Sequence, residues 1–230
     1  MTEPSRTIVF AIFPKVTQLD FTGPLEVLAK LPRTRTVVAS AAGGEVVCDG
    51  GLTFAGIERL ADVETCDVLC VPGGYGQITA MRDPSFMREI VRLGRGAAYV
   101  TSVCTGSLIL AAAGFLRGKR AACHWMYRSL LAEFGAIPDS GRVVRDGNIL
   151  TGGGVTAGID FALVLAAELA GRPAAEAIQL GLEYAPAPSF AAGHPDTAPP
   201  DVVESVTARL AEVFEERRRS IAEIVAEGSA

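Results

Sequence analysis

Tyr99-Val100-Thr101-Ser102-Val103-Cys104-Thr105-Gly106-Ser107 is the stretch on which the fold turns. Its first half is β-rich and apolar, and it belongs to a strand over 97–103. Its second half is small and polar, and it opens a helix over 105–113. Cysteine occupies the turn between them. Similar runs lie on either side. Residues 8–13, 36–40 and 68–71 read as strands, and 84–93, 157–170 and 174–182 as helices. Gly23-Pro24 places proline at a helix start, where its missing N–H costs nothing, with 25–30 continuing the helix. Asp49-Gly50-Gly51 and Asp146-Gly147 mark two hairpins. Fully apolar strands between helices imply a parallel sheet covered on both faces. The fold expected is therefore a doubly wound α/β domain, whose ligand sits beyond the carboxyl ends of the strands.

Residues 1–230 are read as one domain, since 230 residues lie between one and two domains at ~150 each. Five of the thirteen prolines fall in 184–200, which reads as an extended arm. Apolar residues at 202, 206, 210, 213, 221 and 224 make 201–227 an amphipathic helix, packed on this core or on a partner subunit. Apolar residues form 49% and charged residues 20% of the chain, which excludes a disordered or fibrous class. With 21 basic and 26 acidic residues the net charge is −5, so nucleic acid is a poor partner. Arg217-Arg218-Arg219 follows Glu215-Glu216 and reads as a solvated helix face.

Mean hydropathy is +0.32, yet the runs 108–116 and 159–170 fall short of the ~20 apolar residues that span a bilayer. Residues 1–6 show no basic region leading into a secretory signal. Five cysteines, odd in number and irregular in spacing, point to free thiols in a reducing cytoplasm. Two histidines, with no CxxC and no HExxH, leave no structural metal site.

Cys104 is the leading candidate for chemistry. A strand running straight into a helix resembles a nucleophile elbow, with cysteine in place of serine. The turn would hold the sulfur out in the crevice, and the helix N-terminus would favour its thiolate. The competing reading is a buried cysteine packed as a small hydrophobe. Asp20 follows the first strand, where it serves either as a carboxyl sharing a proton with the thiol or as a helix N-cap. Gly73-Gly74 and Gly152-Gly153-Gly154 form an anion pocket or plain turns. His124, beside Trp125, is a base for the cysteine or a packed histidine. His194 reads as an exposed loop residue.

The loop 18–24, Val71-Pro72-Gly73-Gly74, 100–107, His124-Trp125, 151–154, 156–161 and Glu183-Tyr184-Ala185-Pro186 resemble the ThiJ/PfpI superfamily. Within it, Cys104 followed by Thr105, together with Asp20, looks most like the isocyanide hydratases. The resemblance implies a flavodoxin-like three-layer sandwich with a mostly parallel central sheet, a class I glutamine-amidotransferase-like domain. It also implies a homodimer, a lyase that hydrates an isocyanide to an N-substituted formamide, and no cofactor. Cys104 matches the nucleophile, Asp20 the acid/base and Thr105 the residue supporting the nucleophile. Gly73, Gly74 and Gly153 would shape the substrate pocket. Protease-like members carry histidine after the cysteine, and glyoxalase or deglycase members carry glutamate after the first strand. Thr105 and Asp20 depart from both patterns. A glyoxalase-type activity and a cysteine redox sensor are the alternatives. Related AraC-type regulators need a DNA-binding domain, for which one helix after the arm is too little.

Overall fold

The computed structural model describes Ser5–Gly228; residues 1–4, where no leader is read, and 229–230 lie outside the described residues. Among the described residues an eight-stranded sheet runs in the order β3-β4-β2-β1-β5-β6-β10-β9. The strands are β1 (Arg6–Ala11), β2 (Thr34–Ser40), β3 (Gly44–Val47), β4 (Thr53–Arg59), β5 (Val68–Val71), β6 (Tyr99–Val103), β9 (Val143–Asp146) and β10 (Ile149–Gly152); a separate pair joins β7 (Arg120–Ala121) to β8 (Ile137–Pro138). Edge strands β3 and β9 are antiparallel to their neighbours, and the six strands between them are parallel. The mostly parallel sheet of the sequence reading is what forms.

Its central strands are buried along most of their length: Ile8, Val9, Phe10, Ala11 and Ile12 have no exposed surface. The β1–β2 and β5–β6 crossovers run in opposite directions from the β1–β5 pair, so right-handed connections place their helices on opposite faces. One layer holds α1 (Gln18–Leu28), α5 (Ala157–Ala170) and α6 (Arg172–Gly181). The other holds α2 (Gln77–Arg82), α3 (Pro84–Gly96), α4 (Gly106–Ala112) and α7 (Pro200–Gly228). No helix among the described residues is long and apolar enough to cross a membrane.

The first helix corrects the sequence reading. It starts at Gln18, so Pro24 lies inside it rather than at its first turn. Packing overrides the local preference, because α1 crosses α5 where Gly158 leaves room for the ring. A Cβ on Gly158 would sit 3.0 Å from Pro24 Cδ. The consequence for the site is large, since the earlier start places Asp20 in the first turn of α1 and turns it inward.

The β6–α4 turn depends on a close backbone approach. A Cβ on Gly106 would lie 2.0 Å from the Val71 carbonyl oxygen, a backbone atom that cannot rotate away. Gly106→Ala should therefore cost about 3 kcal/mol or more, the upper range for overpacking. Gly96→Ala meets nothing within 4 Å and should be neutral to slightly stabilising. Thermal melting of the two variants checks this, and equal melting temperatures would contradict it.

Candidate active site

Three loops converge beyond the carboxyl ends of adjacent strands. Asp20 follows β1, Gly73-Gly74 follow β5, and Cys104 follows β6. Cys104 has φ of +59°, the strained left-handed backbone of a nucleophile elbow. Its N–H donates to the Gly152 carbonyl at 3.1 Å, and a Ser102–Ser107 hydroxyl pair at 2.8 Å ties the strand to the helix across the turn.

Gly73 N–H donates to Asp20 Oδ2 at 2.9 Å, and Gly74 N–H donates to Thr105 Oγ1 at 3.1 Å. A Cβ on Gly73 would stand 2.5 Å from Thr105 N and Oγ1 and 3.0 Å from Asp20 Oδ2. The glycine pair is thus present because the backbone must pass between two side chains. Its amides are committed to Asp20 and Thr105. Asp20 is not an N-cap. It is 1% exposed, and its Oδ1 has no hydrogen-bond partner among the described residues.

Cys104 and Asp20 are electrostatically coupled. Burial raises the Asp20 carboxyl from 3.8 to about 7, and Asp49 adds to the rise. The Gly73 N–H and the Cys104 thiol partly offset it. Burial also pushes the Cys104 thiol well above its ordinary 9.0, with the Asp20 and Cys123 charges reinforcing the rise and the Thr105 N–H opposing it. This corrects the expectation of a thiolate favoured by the helix end. A helix terminus contributes roughly 0.3–1 kcal/mol, or about 2 at most, whereas burying an ion costs several. Desolvation wins. The thiol and the carboxyl titrate as a pair, with both affinities for the proton raised.

A cavity of about 140 Å³ opens onto the sulfur. Thr17, Gly74, Tyr75, Cys104, Thr105, His124, Tyr127, Val155, Leu210 and Arg217 line it. His124 therefore reaches the site. Its Nδ1 accepts from Met126 N–H at 3.3 Å, and burial, aided by the Arg217 charge, holds it down at about 4, so it is neutral. Gly153 lies elsewhere. It lines an adjoining cavity of about 330 Å³ that also contains His194, Arg128 and Arg142 and shares His124 and Val155 with the first. His194 is half-buried there, with Nδ1 3.4 Å from Asp196. A larger cavity of about 440 Å³, near Phe13, Ser40 and Asp83, holds no thiol. Volume does not locate the chemistry. All five cysteines are free and buried, and the described residues contain no cluster of three His, Cys, Asp or Glu placed to hold a metal.

Residues 6–168 match the model of the DJ-1/PfpI family. The chain belongs to that family. It is 52% identical over 204 residues to an isonitrile hydratase of Pseudomonas putida, covering 89% of this chain and 90% of the relative. A ThiJ/PfpI family protein from Pseudomonas syringae superposes with TM-score 0.91 at 37% identity, over 98% of this chain and 91% of that one. Drosophila melanogaster DJ-1beta shares the fold at TM-score 0.68 and 24% identity, over 78% of this chain and 98% of its own.

As site residues Tyr127, Leu210 and Arg217 were missed: Leu210 was read only as part of an amphipathic helix, and Arg217 only as a solvated face. Leu210 and Arg217 come from α7, outside the family's matched residues. For Arg217 a signal existed: the apolar series 210, 213, 221, 224 has a gap that 217 fills on the same helix face.

The Asp20 carboxyl makes a prediction. Its folded-state value lies above its unfolded value of 3.8, so its contribution to stability is complete below about pH 3.8 and is lost as the pH climbs through about 7. Asp20→Asn keeps an acceptor for Gly73 and removes the charge. At pH 8 it should melt higher than the wild type, by on the order of 1–3 kcal/mol, and the advantage should vanish near pH 4. Melting curves across that range check the sign.

Proposed function

We propose that this chain is an isocyanide (isonitrile) hydratase with Cys104 as nucleophile and Asp20 as acid and base. One observation carries the reading: the strained Cys104 turn is coupled, through a side-chain hydrogen bond and charge, to the buried carboxyl of Asp20. The 52% identity to an isonitrile hydratase over nearly the whole chain supports the substrate class.

An isocyanide carbon accepts a nucleophile once it takes up a proton. Asp20, near 7, is an acid well matched to neutral solution. It gives its proton to that carbon as the Cys104 sulfur bonds to it, and the thiol proton passes to the vacated carboxylate. The product is a thioimidate, R–N=CH–S–Cys104. The carboxyl then protonates the imine nitrogen and takes a proton from water as hydroxide adds to the carbon. On collapse it protonates the departing sulfur and accepts the hydroxyl proton. The formamide R–NH–CHO leaves, and thiol and carboxylic acid are restored. Covalent catalysis divides one hard step into two. Substrate and water supply every atom of the product, so no redox cofactor is called on.

Thr105 holds the pair in register through its N–H toward the sulfur and its hydroxyl toward Gly74. Gly73 and Gly74 shape the pocket through those bonds, and Gly153 belongs to the adjoining cavity, where a longer substrate would extend. A 140 Å³ space suits an alkyl or aryl group of one six-membered ring; an apolar cavity of about 150 Å³ admits benzene. The same reading has the enzyme as one domain, a homodimer in the cytoplasm, independent of nucleic acid.

A glyoxalase-type activity is the second reading, favoured by the neutral His124 in the cavity wall. Turnover of methylglyoxal and of cyclohexyl isocyanide on one preparation separates the two. For the hydratase, Cys104→Ala should abolish formamide formation, and Asp20→Asn should lower kcat by about 10²–10⁴. Formamide production by Cys104→Ala at the wild-type rate would end the reading.

A further inference from the structure

Arg217 was read from sequence as part of a solvated basic run, and the structure separates it from that run. Arg218 pairs with Glu215 at 2.9 Å, and Arg219 reaches the Glu215 carbonyl. Arg217 turns the other way and is 5% exposed. Its guanidinium stands 4.0 Å over the Tyr127 ring, which itself stacks on Phe214 of α7. Among the described residues no carboxylate pairs with it, and its one hydrogen bond runs from Nη2 to the Gly74 carbonyl at 2.9 Å. A buried guanidinium without an acid is costly unless its site repays the desolvation.

The bond to Gly74 reaches the pair that does the chemistry. Gly74 N–H holds Thr105, and the preceding Gly73 N–H holds Asp20. We infer that Arg217 is a positioning residue, through which α7 clamps the 73–74 loop and so fixes Asp20 and Thr105 against Cys104. The inference rests on the hydratase reading for its substrate, though not for its geometry. It also makes α7, which lies beyond residues 6–168, a wall of the active site, with Leu210 beside Arg217 at the cavity.

The test compares three variants of the full chain in steady-state hydration of cyclohexyl isocyanide. Arg217→Met keeps the stem and loses the donor. Its kcat should fall about 10- to 100-fold, the cost of roughly an ångström of misplacement, with KM nearly unchanged. Arg217→Lys restores charge and a donor and should fall between Met and wild type. Glu223→Gln breaks the surface pair with Arg82, which anchors α7 near its far end, and should keep the wild-type kcat. A wild-type kcat in Arg217→Met, a loss confined to KM, or an equal loss in Glu223→Gln overturns the inference. Where Arg217→Met does not fold, Arg217→Lys decides: a lowered kcat at constant KM supports it, and a wild-type kcat overturns it. Should the wild type hydrate no isocyanide, the hydratase reading falls by itself. The pH profile of Cys104 alkylation by iodoacetamide, mapped by peptide mass, then tests Arg217 alone. A midpoint displaced in Arg217→Met and restored in Arg217→Lys supports it, and superimposable profiles overturn it.

Discussion

One hydrogen bond, from Gly73 N–H to a buried Asp20 oxygen, sets the terms for everything around it. It fixes a carboxyl in a place where ionisation is costly. It leaves the second oxygen buried and without a hydrogen-bond partner among the described residues. It also requires glycine at 73, because any Cβ there would collide with Thr105 and crowd Asp20. Strand β5 must therefore end where its backbone can slip between two side chains. Strands β1 and β6 must deliver those side chains from either side. The parallel sheet is the device that brings three such loops to one edge.

The arrangement trades stability for reactivity. A carboxyl raised to about 7 destabilises the folded chain above that pH, and a cysteine at φ +59° stores strain. Neither is needed to fold a sheet this well buried. Both are what proton transfer near neutrality needs: an acid half-protonated at working pH, and a sulfur held at an angle that no relaxed turn would give. The burial that raises the acid also raises the thiol, so in the proposed reaction attack is concerted with proton transfer rather than made by a standing thiolate. That is why the helix N-terminus, the feature most visible in sequence, is the weaker influence.

The legible parts of the sequence were those whose causes are local. Strands 68–71 and 97–103, helix 157–170 and the hairpin at Asp146-Gly147 follow from apolar runs and turn residues, and they form within two residues of where the pattern puts them. Cys104 and Asp20 were singled out because turns after strands are where such sheets place their ligands, and the structure brings the two together. The failures have tertiary causes. The start of α1 at Gln18 depends on a close crossing with α5 at Gly158, which no local preference encodes. The commitment of the Gly73 and Gly74 amides depends on partners 53 and 31 residues away in the chain. In the hairpin at Asp49-Gly50-Gly51 the apolar run 52–54 marks only the start of β4, because exposed residues interrupt its apolar pattern beside the edge strand β3; the strand continues to Arg59.

Arg217 shows how a charge misleads. Three arginines after two glutamates look like a surface, and for two of them the surface is where they lie. Helical geometry still obliges every third or fourth residue of α7 to face the core, and 217 stands on that face between Leu210 and Ile221. An arginine can occupy such a position when an aromatic ring accepts its flat face and a carbonyl accepts its edge, and Tyr127 and Gly74 provide the two. Each contact ties α7 to a segment that lines the Cys104 cavity. Burial, reinforced by the Arg217 charge, keeps the His124 ring neutral, so the cavity wall presents no imidazolium to compete with Asp20 for the proposed role of acid. In the proposed mechanism a helix attached by a proline-rich arm thus joins two segments of the cavity wall and adds to the forces that keep its histidine from acting as the acid, the role the proposal gives to Asp20.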